Sequence, residues 1–145
     1  MRRLLAEARR LGVSVHIARL EDDPTLRGYY LAEPGIIVLR HGLTRAESRS
    51  VLAHELGHAF YRHDSDSALA ERQADIYAAR LLIDSEEYAR FERVNPDPQS
   101  LADELGVTVD VIRTFGTHCL MQVCGVTYAL PRMGARQWAF RAAPT

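Results

Sequence analysis

Lysine is missing from this 145-residue chain, so all 18 basic residues are arginine. They are scattered rather than clustered, which reads as a solvated, compositionally biased surface and not as a phosphate-binding patch. Against 19 acidic residues they leave a formal net charge of −1. Bulk electrostatics therefore supplies no reason to expect a nucleic-acid or membrane partner. Cysteine is scarce too. Cys119 and Cys124 are too few for a disulfide framework, and C-x4-C is a poor zinc pair, so both read as buried structural thiols in a cytoplasmic protein. No run approaches the roughly 18 apolar residues of a membrane span. Met1 to Arg10 has a charged start with no apolar stretch behind it, and reads as an amphipathic helix rather than a signal peptide. Internal repeats and low-complexity segments are also lacking.

What remains is an ordinary globular composition, 47% apolar and 26% charged, long enough for one domain with a real core. The order of elements predicts an α+β fold. Residues 2–11 read as a helix ended by Gly12. Val13 to Leu20 alternates like a strand, with Val13, Val15 and Ile17 on one face. Glu21 to Pro24 is a turn. Arg27 to Ala32 and Ile36 to Arg40 form a hairpin around Glu33-Pro34-Gly35. Thr44-Arg45-Ala46-Glu47 is a capping box, so a helix starts at Arg45 and runs to about Arg62. After the polar loop Asp64–Ser67, a second helix spans Ala68 to Ile83. Asp84 or Ser85 caps a short helix to about Val94, which Asn95-Pro96-Asp97-Pro98 breaks. Leu101–Leu105, Gly106 and Val109–Thr117 read as helix–turn–helix. Gly125–Leu130 and Gln137–Arg141 form either a small hairpin or a loose tail.

The first long helix carries His54-Glu55-Leu56-Gly57-His58, an H-E-x-x-H pentad. Positions i and i+4 of a helix share one face, one turn apart, so the two imidazoles can bind one zinc ion together. Glu55 then projects beside the metal, where it can take a proton from a water held there. A catalytic zinc site normally has three protein ligands, and Glu71 is a suitable third. It lies 13 positions after His58, on a helix that the short loop lets fold back antiparallel. Asp64 and Asp66 are rivals, but they follow His58 too soon to reach back comfortably. Asp75, one turn beyond Glu71, can accept the free ring N–H of a ligand histidine and fix its tautomer. The His2Glu donor set suits Zn2+ and also accommodates Mn2+ or Fe2+.

Other histidines are weaker candidates. His63 follows the pentad by five positions, which turns it partly away and leaves it exposed; His16, His41 and His118 stand alone. A donor to the developing oxyanion would come from Tyr61, Tyr77, Tyr88 or His118, and spacing does not choose among them. The Arg27–Arg40 hairpin offers strands that either fill the core or bind an extended substrate along an edge.

Glu71-Arg-Gln-Ala74-Asp75-Ile-Tyr-Ala78-Ala79-Arg-Leu81-Leu82, taken with the pentad, resembles the second signature of the ImmA/IrrE-type metallopeptidases. That pattern usually ends near Met-Pro, where this chain has Ile83-Asp84. Leu101 to Ile112 looks like the short helical element that follows the catalytic helices in the family. The resemblance covers roughly residues 5–115. It implies a single zincin-like metallopeptidase domain over 1–145, with a small sheet of about three strands packed on the H-E-x-x-H helix and a second ligand-bearing helix. Residues 95–118 would be a helical appendage and 119–145 an unassigned segment. It also implies His54, His58 and Glu71 as ligands of Zn2+ and Glu55 as general base. The implied activity is a cytoplasmic endopeptidase that cleaves a helix–turn–helix repressor in bacteria, phages or mobile elements, without the extra DNA-binding or sensor domains of some relatives. The alternative is a non-catalytic zincin-like module that binds a repressor or another protein. Direct DNA reading is disfavoured, because the second helix of the helix–turn–helix, Val109–Thr117, presents only Arg113 as a basic group.

Overall fold

The computed structural model describes residues 1–123, 126–129 and 139–141, and the fold is α+β. The chain divides into two compact units, Met1–Ala78 and Ala79–Thr145. No helix among the described residues is long and apolar enough to cross a membrane.

The first unit opens with α1 (Arg2–Leu11), which Gly12 ends in the left-handed conformation (φ 73°) that a helix C-terminus favours and side chains resist. Three strands follow, β1 (Ser14–Ala18), β2 (Gly28–Leu31) and β3 (Ile36–Arg40), in the order β1-β3-β2. The expected hairpin pairs β2 and β3 antiparallel, Tyr29 facing Val38 and Leu31 facing Ile36. β1 runs parallel to β3 on the far side, with Ser14 against Ile36. It is shorter than the eight-residue strand expected, and its Ile17 is exposed at the sheet edge. β3, the central strand, supplies the core residues Ile37, Val38 and Leu39.

Helix α2 (Arg45–Tyr61) begins where the capping box predicts: Thr44 Oγ1 accepts from the Glu47 N–H at 3.2 Å, and Glu47 Oε2 accepts from the Thr44 N–H at 2.9 Å. The other Glu47 oxygen pairs with Arg27 Nη1 at 2.5 Å, tying the entrance of β2 to the start of the helix. Leu52, Ala53 and Leu56 on α2 are fully buried, and burying each leucine contributes about 1.5–3 kcal/mol. Helix α3 (Ala68–Leu82) is capped by Ser67, whose Oγ accepts from the Ala70 N–H at 3.1 Å.

Two glycines decide how closely these elements approach. A Cβ on Gly57 would lie 2.7 Å from Ala74 Cα and 2.9 Å from Ala74 O, so α2 and α3 meet nearly backbone to backbone. A Cβ on Gly28 would lie 2.6 Å from Val51 Cγ1, so β2 presses onto α2.

The second unit holds α4 (Ser85–Val94), α5 (Pro98–Leu105), α6 (Val109–His118) and the short antiparallel sheet β4-β5-β6 (Leu120–Val123, Val126–Ala129, Ala139–Arg141). Asp84 is the cap of α4. α5 starts three residues before the expected Leu101. Pro98 occupies its first turn and Asp97 accepts from the Ser100 N–H, so the Asn95–Pro98 break also starts a helix. Tyr88 and Phe115 pack in the core of this unit as a tilted ring pair with centroids 4.9 Å apart. The Val126–Ala129 and Ala139–Arg141 pairing realises the hairpin alternative for the C-terminal runs. Strand β4 was not expected. Cys119 is a buried free thiol, as expected; Cys124 lies outside the described residues.

Substituting Gly57 with alanine is expected to lower stability by about 1–3 kcal/mol, because overpacking at Ala74 outweighs the gain in helix propensity. Thermal denaturation checks this; a Gly57→Ala protein that melts at or above the wild-type temperature would contradict the close-approach argument.

Candidate metal centre

His54 and His58 share the face of α2 that looks toward α3, and Glu71 on α3 reaches both. The two Nε2 atoms lie 3.0 Å apart. Glu71 Oε2 is 3.3 Å from His54 Nε2, and Glu71 Oε1 is 3.2 Å from His58 Nε2. Among the described residues, His54, His58 and Glu71 form a cluster whose donor atoms all lie within 4.8 Å of one another. Asp75, one turn further along α3, accepts from His54 Nδ1 at 2.8 Å. That bond places the His54 ring proton on Nδ1 and turns the lone pair of Nε2 toward Glu71 and His58. Imidazole lone pairs and carboxylate oxygens packed this closely repel one another unless a cation or shared protons lie between them. The donor set therefore fits a divalent metal ion.

Charge and burial shape the centre further. His58 is buried, and that burial, reinforced by His54 and His63 nearby, lowers its pKa below the usual imidazole range despite the opposing pull of Glu71 and Asp66. It is thus held in the neutral form that binds metals. For His54, burial also acts to lower the pKa, but the Asp75 hydrogen bond and the carboxylates of Glu55, Asp75 and Glu71 outweigh it and the net shift is upward. Glu55, only 7% exposed, is pushed up to about 7, first by burial and then by Glu71 and Asp66, with His54 opposing. A carboxyl poised near neutrality can both take and return a proton.

These groups line a cleft of about 710 Å³. One wall is β2 with its continuation, Gly28 to Ala32; another is the loop from His63 to Asp66. β2 ends the sheet, so its outer edge is unpaired among the described residues.

The profile of the peptidase family described as the IrrE N-terminal-like domain matches residues 8–115. The chain belongs to that family. Its fold is shared with a solved structure, a Mycobacterium tuberculosis transcriptional regulator, at 18% identity and a TM-score of 0.57. The match covers 77% of this chain and 39% of the regulator, so the chain spans well under half the length of that protein. A comparison with curated proteins returns no match.

Within this IrrE N-terminal-like domain, Asp64 and Asp66 line the cleft but stay outside the donor cluster. Of the expected oxyanion donors in the first unit, neither Tyr61 nor Tyr77 lines the cleft. The Tyr77 hydroxyl donates to Glu7 Oε1 on α1 at 2.5 Å, and Tyr61 stacks on His63 with ring centroids 5.4 Å apart. His118 and Tyr88 belong to the second unit. The phenols that line the cleft are Tyr29 and Tyr30, from the hairpin considered for substrate binding. His63, expected to be exposed, is half-buried beside His58. α2 stops at Tyr61, Arg62 adopts a left-handed conformation (φ 54°), and the chain doubles back so that the His63 N–H donates to His58 O at 3.0 Å. The five-residue spacing misleads because it assumes a helix that continues.

The raised carboxyl of Glu55 sets a pH dependence for the metal-stripped protein. Between its ordinary value of 4.5 and about 7, the folded protein keeps a proton that the unfolded chain has released. Stability therefore falls as pH rises through that window, and the loss is complete above it. Melting curves of the stripped protein are expected to decline more steeply from pH 4.5 to 7 than those of Glu55→Gln. Parallel curves would show that Glu55 does not carry the effect.

Proposed function

We propose that this chain is a zinc-dependent endopeptidase of the cytoplasm, and that its substrate is a helix–turn–helix transcriptional repressor whose cleavage relieves repression. The observation that carries the reading is the convergence of His54 Nε2, His58 Nε2 and both Glu71 oxygens on one point, beside the buried Glu55 in an open cleft. In it, His54, His58 and Glu71 hold the metal, and Asp75 orients His54. When bound, the metal supplies Lewis acidity, polarising a scissile carbonyl and acidifying water. Glu55 takes the proton of the attacking water and hands it to the leaving amine; its buried, near-neutral carboxyl suits both transfers. The outer edge of β2 offers backbone N–H and C=O groups to an extended peptide, which then lies across the cleft. Membership of a peptidase family supports the chemistry. The substrate assignment has its own support. It rests on the resemblance to the ImmA/IrrE-type peptidases and on the similarity in fold to a protein described as a transcriptional regulator.

That description also favours a second reading, a regulatory module that binds its protein partner without cutting it. Glu55→Gln separates the two. The substitution is expected to leave zinc binding within severalfold of wild type and to slow cleavage by about 100-fold or more. The assay incubates the protein and zinc with candidate helix–turn–helix repressors, and reads products by mass spectrometry. Wild-type cleavage by Glu55→Gln rules out the proposed base, and full derepression by Glu55→Gln in cells favours the binding module. Chelation is expected to stop cleavage and lower the melting temperature, and added Zn2+ to restore both.

A further inference from the structure

We propose that His63 is a positioning residue for His58, and that with Gln73 behind it His63 holds His58 in the tautomer that presents Nε2 to the metal. The inference rests on the metal-site reading above. His63 Nδ1 lies 3.0 Å from His58 Nδ1, and His63 Nε2 lies 3.1 Å from Gln73 Oε1. The direction of this chain follows from its far end. The amide oxygen of Gln73 can only accept, so His63 carries its proton on Nε2. In the neutral imidazole Nδ1 is then a lone pair, and His58 donates to it from Nδ1. That leaves His58 Nε2 unprotonated, facing His54 Nε2 and Glu71.

Three contacts hold His63 in place. Its backbone N–H donates to His58 O at 3.0 Å, its ring stacks on Tyr61 at an interplanar angle of 12°, and Gln73 anchors it to α3. The two histidines of the pentad thus have outer partners of different kinds, an anionic one for His54 and a neutral one for His58. A second carboxylate behind His58 would add charge where Glu55, Glu71, Asp66 and Asp75 already gather. An imidazole backed by an amide orients without adding charge. Such outer hydrogen bonds are commonly worth a factor of about 10–100 in metal affinity.

The test measures zinc affinity by chelator competition, the visible spectrum of the Co2+-loaded protein and the melting temperature of the stripped protein. His63→Phe keeps a flat ring against Tyr61 and removes the acceptor; His63→Asn returns an acceptor oxygen near the Nδ1 position. His63→Phe is expected to weaken zinc binding about 10–100-fold and to shift the cobalt spectrum, with little change in stripped-protein melting. His63→Asn is expected to stay within about threefold of wild type. Should His63→Phe misfold, Gln73→Leu breaks the relay one bond further out, and a loss of about 3–10-fold is expected. Wild-type zinc affinity in His63→Phe (or in Gln73→Leu where that variant stands in), or equal losses in His63→Phe and His63→Asn, overturns the proposal. Failure of the underlying reading has its own signature: wild-type protein that takes up no stoichiometric zinc, or Glu71→Gln that binds as tightly as wild type.

Discussion

The contact between Gly57 and Ala74 is the constraint on which the site depends. Two helices that meet nearly backbone to backbone leave no room for a side chain between them. His58 is the next residue after Gly57, and Glu71 lies one turn before Ala74. The closest approach of α2 and α3 therefore sits beside the converging donors, and a short Glu side chain spans the gap to both imidazoles. A separation larger by even one methyl group would draw Glu71 off at least one of them. The capping box at Thr44 and the pressure of Gly28 on Val51 then fix where the helix starts and which strand lies over it.

Electrostatics adds a second layer. Glu55 and His58 are buried, and the carboxylates of Glu71 and Asp66 act on both. A divalent cation reverses the sign of that environment. Carboxylates that burden one another in the stripped protein become mutual support once the positive charge is present. Under the proposed function, folding and metal uptake are thereby coupled, and the coupling is concentrated in α2 and the first turns of α3.

Much of this was legible in the sequence because it is local. The pentad, the Thr44–Glu47 box and the Glu71–Asp75 spacing all follow from helical periodicity and a short loop, and the structure brings those residues together at hydrogen-bonding distances. What was not legible depends on departures from regularity or on distant partners. The left-handed turn at Arg62 redirects His63, and no residue type there announces it. Tyr77 is claimed by Glu7, seventy positions away, which no spacing rule reveals. Pro98 reads as a breaker in the sequence, yet its place in a first turn makes it an initiator. The parallel pairing of β1 with β3 is likewise a tertiary fact, since a strand's alternation does not say which neighbour it joins.

The outer edge of β2, unpaired among the described residues, has a consequence for what can be recognised. Under the proposed function, a peptide bound along this edge must give up its own internal backbone hydrogen bonds to pair with the strand. A helix cannot do so without unwinding, and a strand within a sheet is already engaged. A folded target is thus vulnerable only at a linker, or where a segment opens transiently. Selection would then act on the local looseness of the partner, so that a ligand or assembly state that tightens one segment of the target protects it, with no change in the enzyme.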